Sequence, residues 1–415
     1  MKARRQTDVT KGIARSAALL GLLAHEVRVT AHAAPCAAGH AALTIEGMTD
    51  AAAREARIGV RSALGFDAHR VAVLVEGLPR NADSRSIDLA IAVAVMRAMR
   101  TASPVSVSED AVIVGALSLG GEVRAVRGAL ALVEAESVPA FDDALFVVPV
   151  ANAWEASLSG RRVQSAAQLT DLLDGPTLGP LRQVLPATGA PTSTSTLPPL
   201  VGAAGRTLEA AREARRVLLI GPPGSGKTMI ARRVASHLSL TTDEQRDVVR
   251  IHGAAGLIAG PVDGTRPFRA PHHTASETAL VGGGERPRPG EVSLAHRGVL
   301  FLDELTEFRR SAVQALGIAL RDHTVRISRN DALIVFPAVP YAVVAAANPC
   351  PCGYAGSLDR RCSCSDAAIR CYRERLDDYA ILLGINRRFV QHPPTSPREA
   401  EKGEAVVFAT KGGRA

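Results

Sequence analysis

Aromatic side chains make up only 3% of this 415-residue chain. Its cores must therefore be built from Ala, Val, Leu and Ile rather than from packed rings. Long apolar runs are also missing. None reaches the roughly 18 residues that a membrane-spanning helix needs, so a membrane partner is not expected. There is no internal repeat. Cysteine is scarce outside one segment: of six, five fall between Cys350 and Cys371. Such crowding is unlike a disulfide framework spread over a secreted domain. It points to a reducing, cytoplasmic setting and to a metal as one use for clustered thiols. The N-terminus imitates a secretory leader, with Lys2, Arg4, Arg5, Lys11 and Arg15 ahead of the apolar run Ala17–Ala24. That run is short and is closed by Glu26 and Arg28, so a first strand or helix is the expectation.

What is present is ordinary globular material. Hydrophobic residues are 47% of the chain, and its length suits two or three domains. The formal net charge is +8, with a pI near 9.5. That balance favours an anionic partner such as nucleic acid, and equally fits a mildly basic soluble protein.

Along the chain, residues 12–174 mix β-branched runs with helical stretches and read as an α/β domain. Val71–Val75, Val112–Leu119 and Ala144–Val150 are strand candidates, and Ile87–Met99 is a buried-helix candidate opened by Ser84 or Ser86 as cap. Residues 175–199 are rich in Pro, Ser and Thr and carry one charge, Arg182, which is linker composition. A second domain spans 200–376, and 377–415 forms a tail of different character.

The strongest signal lies early in the second domain. Arg216-Val-Leu-Leu-Ile220 reads as a short apolar strand. The loop Gly221-Pro222-Pro223-Gly224-Ser225-Gly226 and then Lys227-Thr228 follow, opening a helix. The glycines permit a tight turn that aims successive backbone N–H groups at phosphates, at the positive end of the helix. Lys227 would reach the β- and γ-phosphates of ATP and Thr228 would ligate Mg²⁺. Downstream, Val299-Leu-Phe-Leu302 reads as a buried strand with Asp303 and Glu304 at its C-terminal end, where open α/β sheets bind ligands. Asp303 would hold Mg²⁺ and Glu304 would polarise the attacking water. Tyr341–Asn348 is a further buried strand; Asn348 at its end resembles the Asn with which AAA+ modules sense the γ-phosphate, whereas an Asn before a proline, taken alone, is usually a turn residue.

Together with Gly221–Thr228, the segments Arg266–Thr274, Leu280–Gly284, Arg288–His296, Gly298–Phe308 and Asn348–Tyr354 resemble the magnesium-chelatase-like AAA+ ATPases of the YifB/ComM family. Gly47–Glu55, Asp88–Ala92 and Gly121–Gly128 extend the likeness into the first domain. The resemblance implies a Lon-protease-like (ribosomal S5-like) α/β domain followed by an AAA+ P-loop domain. It implies ATP with Mg²⁺, assembly as a homo-hexameric ring, and branch-migration helicase work on DNA. Lon-type proteolysis would need a Ser–Lys pair. Ser86 lies near the serine position, but the stretch Arg127–Val133 that should supply lysine has none, so no peptidase activity is expected.

Arg266, Arg269, His272 and His273 fall where helicase-like relatives carry pore-facing insertions. They are candidates for contacting the DNA backbone without reading bases. A loop merely tied down by Pro267 and Pro271 is the competing reading. For Cys350, Cys352, Cys362 and Cys364 two readings stay open as well: a tetrahedral Zn²⁺ site of unusual Cys-x-Cys spacing, or free thiols in a loop.

The family pattern is lost after about Leu376, where relatives continue to an arginine that acts across subunits and to a helical lid. Nothing in the spacing makes Arg387 or Arg388 a replacement. Loss of such an arginine would cost about 10³–10⁵ in rate, so impaired turnover is expected. Val201–Gly205 also stands where relatives carry an Arg-Gly-Gln segment, so that segment's adenine-side contacts do not carry over. The leading expectation is a DNA-associated ATPase. The alternatives are a chelatase-type metal-insertion motor and a nucleotide-binding protein without turnover.

Overall fold

The computed structural model describes residues 9–173, 182–183, 202–390 and 406–409, apart from 66, 101–103, 136–137, 237–238, 331 and 358–359. The expected linker lies outside the described residues, except for the short strand Arg182–Gln183. The chain divides into two compact units. One comprises Met1–Gly189, Val249–Pro261 and Glu285–Pro287; the other comprises Ala190–Val248, Val262–Gly284 and Arg288–Ala415.

The first unit is built on an eight-stranded mixed sheet. Its order is Arg182–Gln183, Val163–Ala166, Phe146–Pro149, Val112–Ile113, Thr10–Leu20, Leu23–Pro35, His69–Glu76 and Ala42–Glu46. The leader-like run Ala17–Ala24 is thus the closed end of an antiparallel hairpin: it ends strand Thr10–Leu20, turns at Gly21 with φ 66° and opens strand Leu23–Pro35. In His69–Glu76, Val71, Val73 and Val75 are buried while the residues between them face out, the period-two signature of a sheet covered on one face. The cover is helix Asp88–Met99, in which ten residues from Asp88 to Ala98 are buried. A Cβ at Gly12 would stand 2.2 Å from the Ala94 carbonyl oxygen. Only glycine permits helix and strand to approach so closely there. Neither Ser84 nor Ser86 caps this helix. A 3₁₀ turn, Ser84–Ile87, precedes it, and Asp83 caps that turn by accepting from the Arg85 N–H. The expected strand Val112–Leu119 is split into Val112–Ile113 and Ala116–Leu117.

The second unit is built on a six-stranded sheet ordered Phe268–Arg269, Val299–Leu302, Ala342–Ala347, Arg216–Ile220, Arg387–Val390 and Val406–Ala409. The first five strands are parallel and the last is antiparallel. Val217–Leu219, Val299–Leu302 and Ala342–Ala347 are buried throughout, as strands covered on both faces must be. Helix Lys227–Ala235 follows the central strand and adds Ile230, Ala231 and Val234 to the core.

The boundary expected at Leu376 falls inside a helix, Asp366–Leu382, capped by the Ser365 hydroxyl. Leu376, Tyr379, Ala380 and Leu383 are buried and recur at i, i+3, i+4 and i+7, an apolar stripe that continues the helix past the expected break. Phe389 then enters the core, and Arg387–Val390 pairs in parallel with Arg216–Ile220. The segment through Val390 is therefore part of this unit's fold rather than a separate tail.

Candidate functional site

At the C-terminal end of the central strand the chain turns through Gly221–Gly226 into helix Lys227–Ala235. Gly224 and Gly226 have φ of 80° and 82°, a left-handed geometry in which side chains are strained. The Gly221 N–H donates to the Ala347 carbonyl at 3.2 Å, which ties the loop to the end of the neighbouring strand. Lys227 Nζ donates to the carbonyls of Gly221 at 2.8 Å and Pro222 at 3.0 Å. Burial lowers the lysine pKa, while the nearby carboxylates of Asp303 and Glu304 work against that shift.

Pro223, Gly224, Ser225, Gly226, Lys227, Thr228, Asp303, Glu304 and Asn348 line one cleft of about 360 Å³, together with Met229 and Ala347. That volume suits a small-molecule ligand. The Ser225 hydroxyl oxygen is buried with no hydrogen-bond partner, a cost that a phosphate-bearing ligand would relieve. Asp303 and Glu304 leave the buried strand Val299–Leu302 together. The Glu304 N–H donates to Asp303 Oδ1 at 3.0 Å, and Glu304 has φ of 51°, a strained conformation that turns its carboxylate outward. Its side chain is 54% exposed.

One partner of Glu304 is not visible in any motif. His273 Nδ1 lies 3.2 Å from Glu304 Oε2, and the His273 ring lies against that of His272, tilted by 33° with centroids 4.1 Å apart. The contact arises from sheet adjacency. Strand Phe268–Arg269 runs parallel to Val299–Leu302, so the loops leaving the two strands meet at one edge. The other pore-loop candidates are committed internally. Arg266 is buried, donates to Glu244 Oε1 at 3.2 Å and Oε2 at 2.9 Å, and stacks 4.6 Å over Tyr341. Arg269 makes a bidentate pair with Glu291, both bonds 2.7 Å. Each guanidinium has a carboxylate within reach, so neither is displayed as a free phosphate contact. His272 Nδ1 lies 2.8 Å from the Thr274 hydroxyl. Arg388, considered as a replacement trans arginine, is ion-paired with Asp377.

The four cysteines converge. Cys350 Sγ lies 3.4 Å from Cys352 Sγ and 3.7 Å from Cys362 Sγ, and Cys352 Sγ lies 3.4 Å from Cys362 Sγ. All four sulfurs, that of Cys364 included, lie within 4.8 Å of one another. Cys371 and Cys36 stand apart as free thiols.

A glycine-rich loop between a central parallel strand and a helix, faced by two carboxylates on the next strand but one, defines the class as P-loop nucleotide-binding proteins. Comparison with known proteins narrows it. The family model for magnesium chelatase subunit ChlI matches residues 202–383, and a second model for a ChlI subunit of Mg-chelatase matches residues 33–152. An uncharacterized protein of Mycobacterium tuberculosis is 38% identical over 88% of this chain and 74% of its own length. The uncharacterized protein YifB of Salmonella typhimurium is 34% identical over 96% of this chain and 80% of its own. The competence protein ComM of Haemophilus influenzae is 34% identical over 84% of this chain and 70% of its own. The chain belongs to the YifB/ComM family of magnesium-chelatase-related ATPases. No described helix is long and apolar enough to cross a membrane.

Proposed function

We propose that this chain is an ATP-hydrolysing, cytoplasmic motor that works on DNA as a homo-hexameric ring, in the manner of a branch-migration helicase. The observation that carries the reading is the convergence of Gly221–Thr228, Asp303, Glu304 and Asn348 on one cleft, in a relative of a competence protein. The backbone N–H groups of Gly224–Thr228 and the Lys227 ammonium bind and orient the triphosphate of ATP. Mg²⁺, held by the Thr228 hydroxyl and Asp303, would neutralise charge on the β- and γ-phosphate oxygens. Glu304 accepts a proton from the attacking water, and Asn348 orients that water against the γ-phosphate. His273 keeps the half-exposed Glu304 carboxylate aimed.

Two features support DNA as the track. The net charge is +8. An antiparallel hairpin, Thr324–Arg329 with Ala332–Pro337, precedes the Asn348 strand and presents Arg326, Arg329 and the 60%-exposed Leu333 to solvent. Two exposed guanidinium groups on a hairpin suit backbone contact without base reading. In the first unit we assign a Lon-protease-like scaffold with no peptidase activity. Ser86 is 3% exposed and its hydroxyl lies 3.0 Å from the Ala17 carbonyl and 2.9 Å from that of Asp83, so it is neither accessible nor paired with a base. A second reading, a metal-insertion motor, draws on the chelatase-subunit models that match both units.

Steady-state ATP hydrolysis with and without single-stranded and forked DNA, beside Lys227→Ala, tests the proposal. Turnover raised by DNA and lost in Lys227→Ala supports the DNA motor. Turnover indifferent to DNA favours the metal-insertion reading, and ATP binding with no turnover leaves a nucleotide-binding protein.

A further inference from the structure

The cysteine cluster has the dimensions of a single-ion site. A tetrahedral zinc tetrathiolate has Zn–S bonds of about 2.3 Å, which places its sulfurs about 3.8 Å apart. The three sulfur separations around Cys350, Cys352 and Cys362 are 3.4, 3.4 and 3.7 Å. They are too long for a disulfide, whose S–S bond is about 2.05 Å. They are too short for a polynuclear iron–sulfur cluster, whose irons and sulfides would stand between the cysteines. Soft thiolate donors in a tetrahedron select zinc among abundant divalent ions. The surrounding backbone is arranged for thiolates. The Ala355 N–H donates to Cys350 Sγ at 3.2 Å, the Cys352 N–H to Cys364 Sγ at 3.3 Å, and the Cys364 N–H to Cys362 Sγ at 3.4 Å. Pro351 and the Gly353 N–H bond to the Cys350 carbonyl close the turn that lets Cys350 and Cys352 face one point.

The cluster also adjoins the phosphate cleft. Cys350 is two residues beyond Asn348. A Cβ at Gly353 would lie 3.2 Å from Cδ of Pro223 in the phosphate loop and 3.8 Å from Cγ of Asn348. On the far side, Cys364 leads directly into Ser365, the cap of helix Asp366–Leu382. From that helix Tyr372 lies against Thr306 and the Asn348 backbone. Tyr379 donates to the Phe308 carbonyl at 3.0 Å. Cross-linking the four sulfurs would therefore fix Asn348 from both of its neighbours in the fold.

We propose that Cys350, Cys352, Cys362 and Cys364 bind one zinc ion as a tetrathiolate, and that this ion holds Asn348 and the phosphate loop in register. The second clause rests on the reading of the cleft as a nucleotide site, whereas the first does not. In this arrangement the zinc is structural, with all four positions filled by protein and none open to substrate.

The test starts from full-length protein purified without chelator. Elemental analysis is expected to give about one zinc per chain in wild type and in Cys371→Ser, and none in Cys362→Ser or Cys364→Ser. Exchange with Co²⁺ is expected to give the thiolate charge-transfer and tetrahedral visible bands. Should the serine variants misfold, titrating wild type with a mercurial, with a chelating dye reading the released ion, supplies the same stoichiometry. Release of zinc is expected to weaken binding of a fluorescent ATP analogue at least about tenfold, the scale on which support around such sites acts. Iron in place of zinc, no metal, or metal lost in Cys371→Ser overturns the site. Zinc release with unchanged analogue affinity overturns the coupling. Zinc-loaded wild type that binds no analogue refutes the nucleotide reading, and the coupling with it, while leaving the site standing.

Discussion

Each unit of this molecule has a pocket with acidic groups at its wall, and the two pockets differ in what has been done with those groups. In the second unit the cleft of about 360 Å³ leaves Glu304 half-exposed on a strained residue, Asp303 beside it, and the Ser225 hydroxyl without a partner. In the first unit the pocket of about 140 Å³ is bordered by Asp88, Glu55, Arg85 and Arg124. There Asp88 is buried, and the adjacent Ser86 is spent on backbone carbonyls. Residue type alone does not distinguish the two pockets. Exposure, unsatisfied polar atoms and local strain do, because a group already satisfied by its own fold has nothing left to offer a substrate.

The sharpest way to break this contrast is to remove the proposed base. Glu304→Gln is expected to lower ATP turnover by about 10²–10⁴-fold, the usual contribution of a general base. Binding of the fluorescent ATP analogue should be retained, since Lys227 and the loop N–H groups are untouched. Turnover equal to wild type would move the chemistry elsewhere. A smaller effect is expected from His273→Ala. It frees the Glu304 carboxylate without removing it, so kcat should fall by about tenfold with little change in KM, as for a misaimed catalytic group. A change confined to KM would make His273 a binding residue instead.

These two residues also mark how far the sequence could be read. Glu304 was legible because four apolar residues followed by two carboxylates need nothing beyond the local chain. His273 was not, because its meeting with Glu304 depends on Phe268–Arg269 being the edge neighbour of Val299–Leu302, a pairing across about 30 positions that no local pattern encodes. The same holds for Arg266 and Arg269. Their charge suggested a displayed surface, and only the fold reveals Glu244 and Glu291 waiting for them. The segment beyond Leu376 failed differently. Its apolar stripe was present in the sequence, but the missing family motifs obscured a periodicity that ran on through Leu383 and into the strand Arg387–Val390. Cys350, Cys352, Cys362 and Cys364 stood between these cases: the spacing allowed a common point, and the turn at Pro351 brings them to it.

The smallest effect on turnover, and the cleanest sharpening of the contrast, belongs to Asp88. Desolvation by burial raises its pKa to about 8, and the charge of Glu55 adds to the shift, while a hydrogen bond from the Leu117 backbone opposes it. In the unfolded chain the same carboxyl ionises near 3.8. Below that value both states hold the proton and Asp88 costs nothing. As pH rises the unfolded chain gives up its proton freely while the folded one keeps it. Stability is therefore lost progressively until about pH 8, above which the loss is complete. An amide in place of the carboxyl has no titrating proton and can still accept from the Leu117 N–H. Asp88→Asn should accordingly match wild type in melting temperature near pH 4 and exceed it by a margin that widens up to about pH 8. ATP turnover should be unchanged, because the group lies outside the phosphate cleft. Melting curves taken across that range decide the matter. A margin that stays constant with pH would mean that Asp88 is ionised in the folded unit and that its pocket holds a charge.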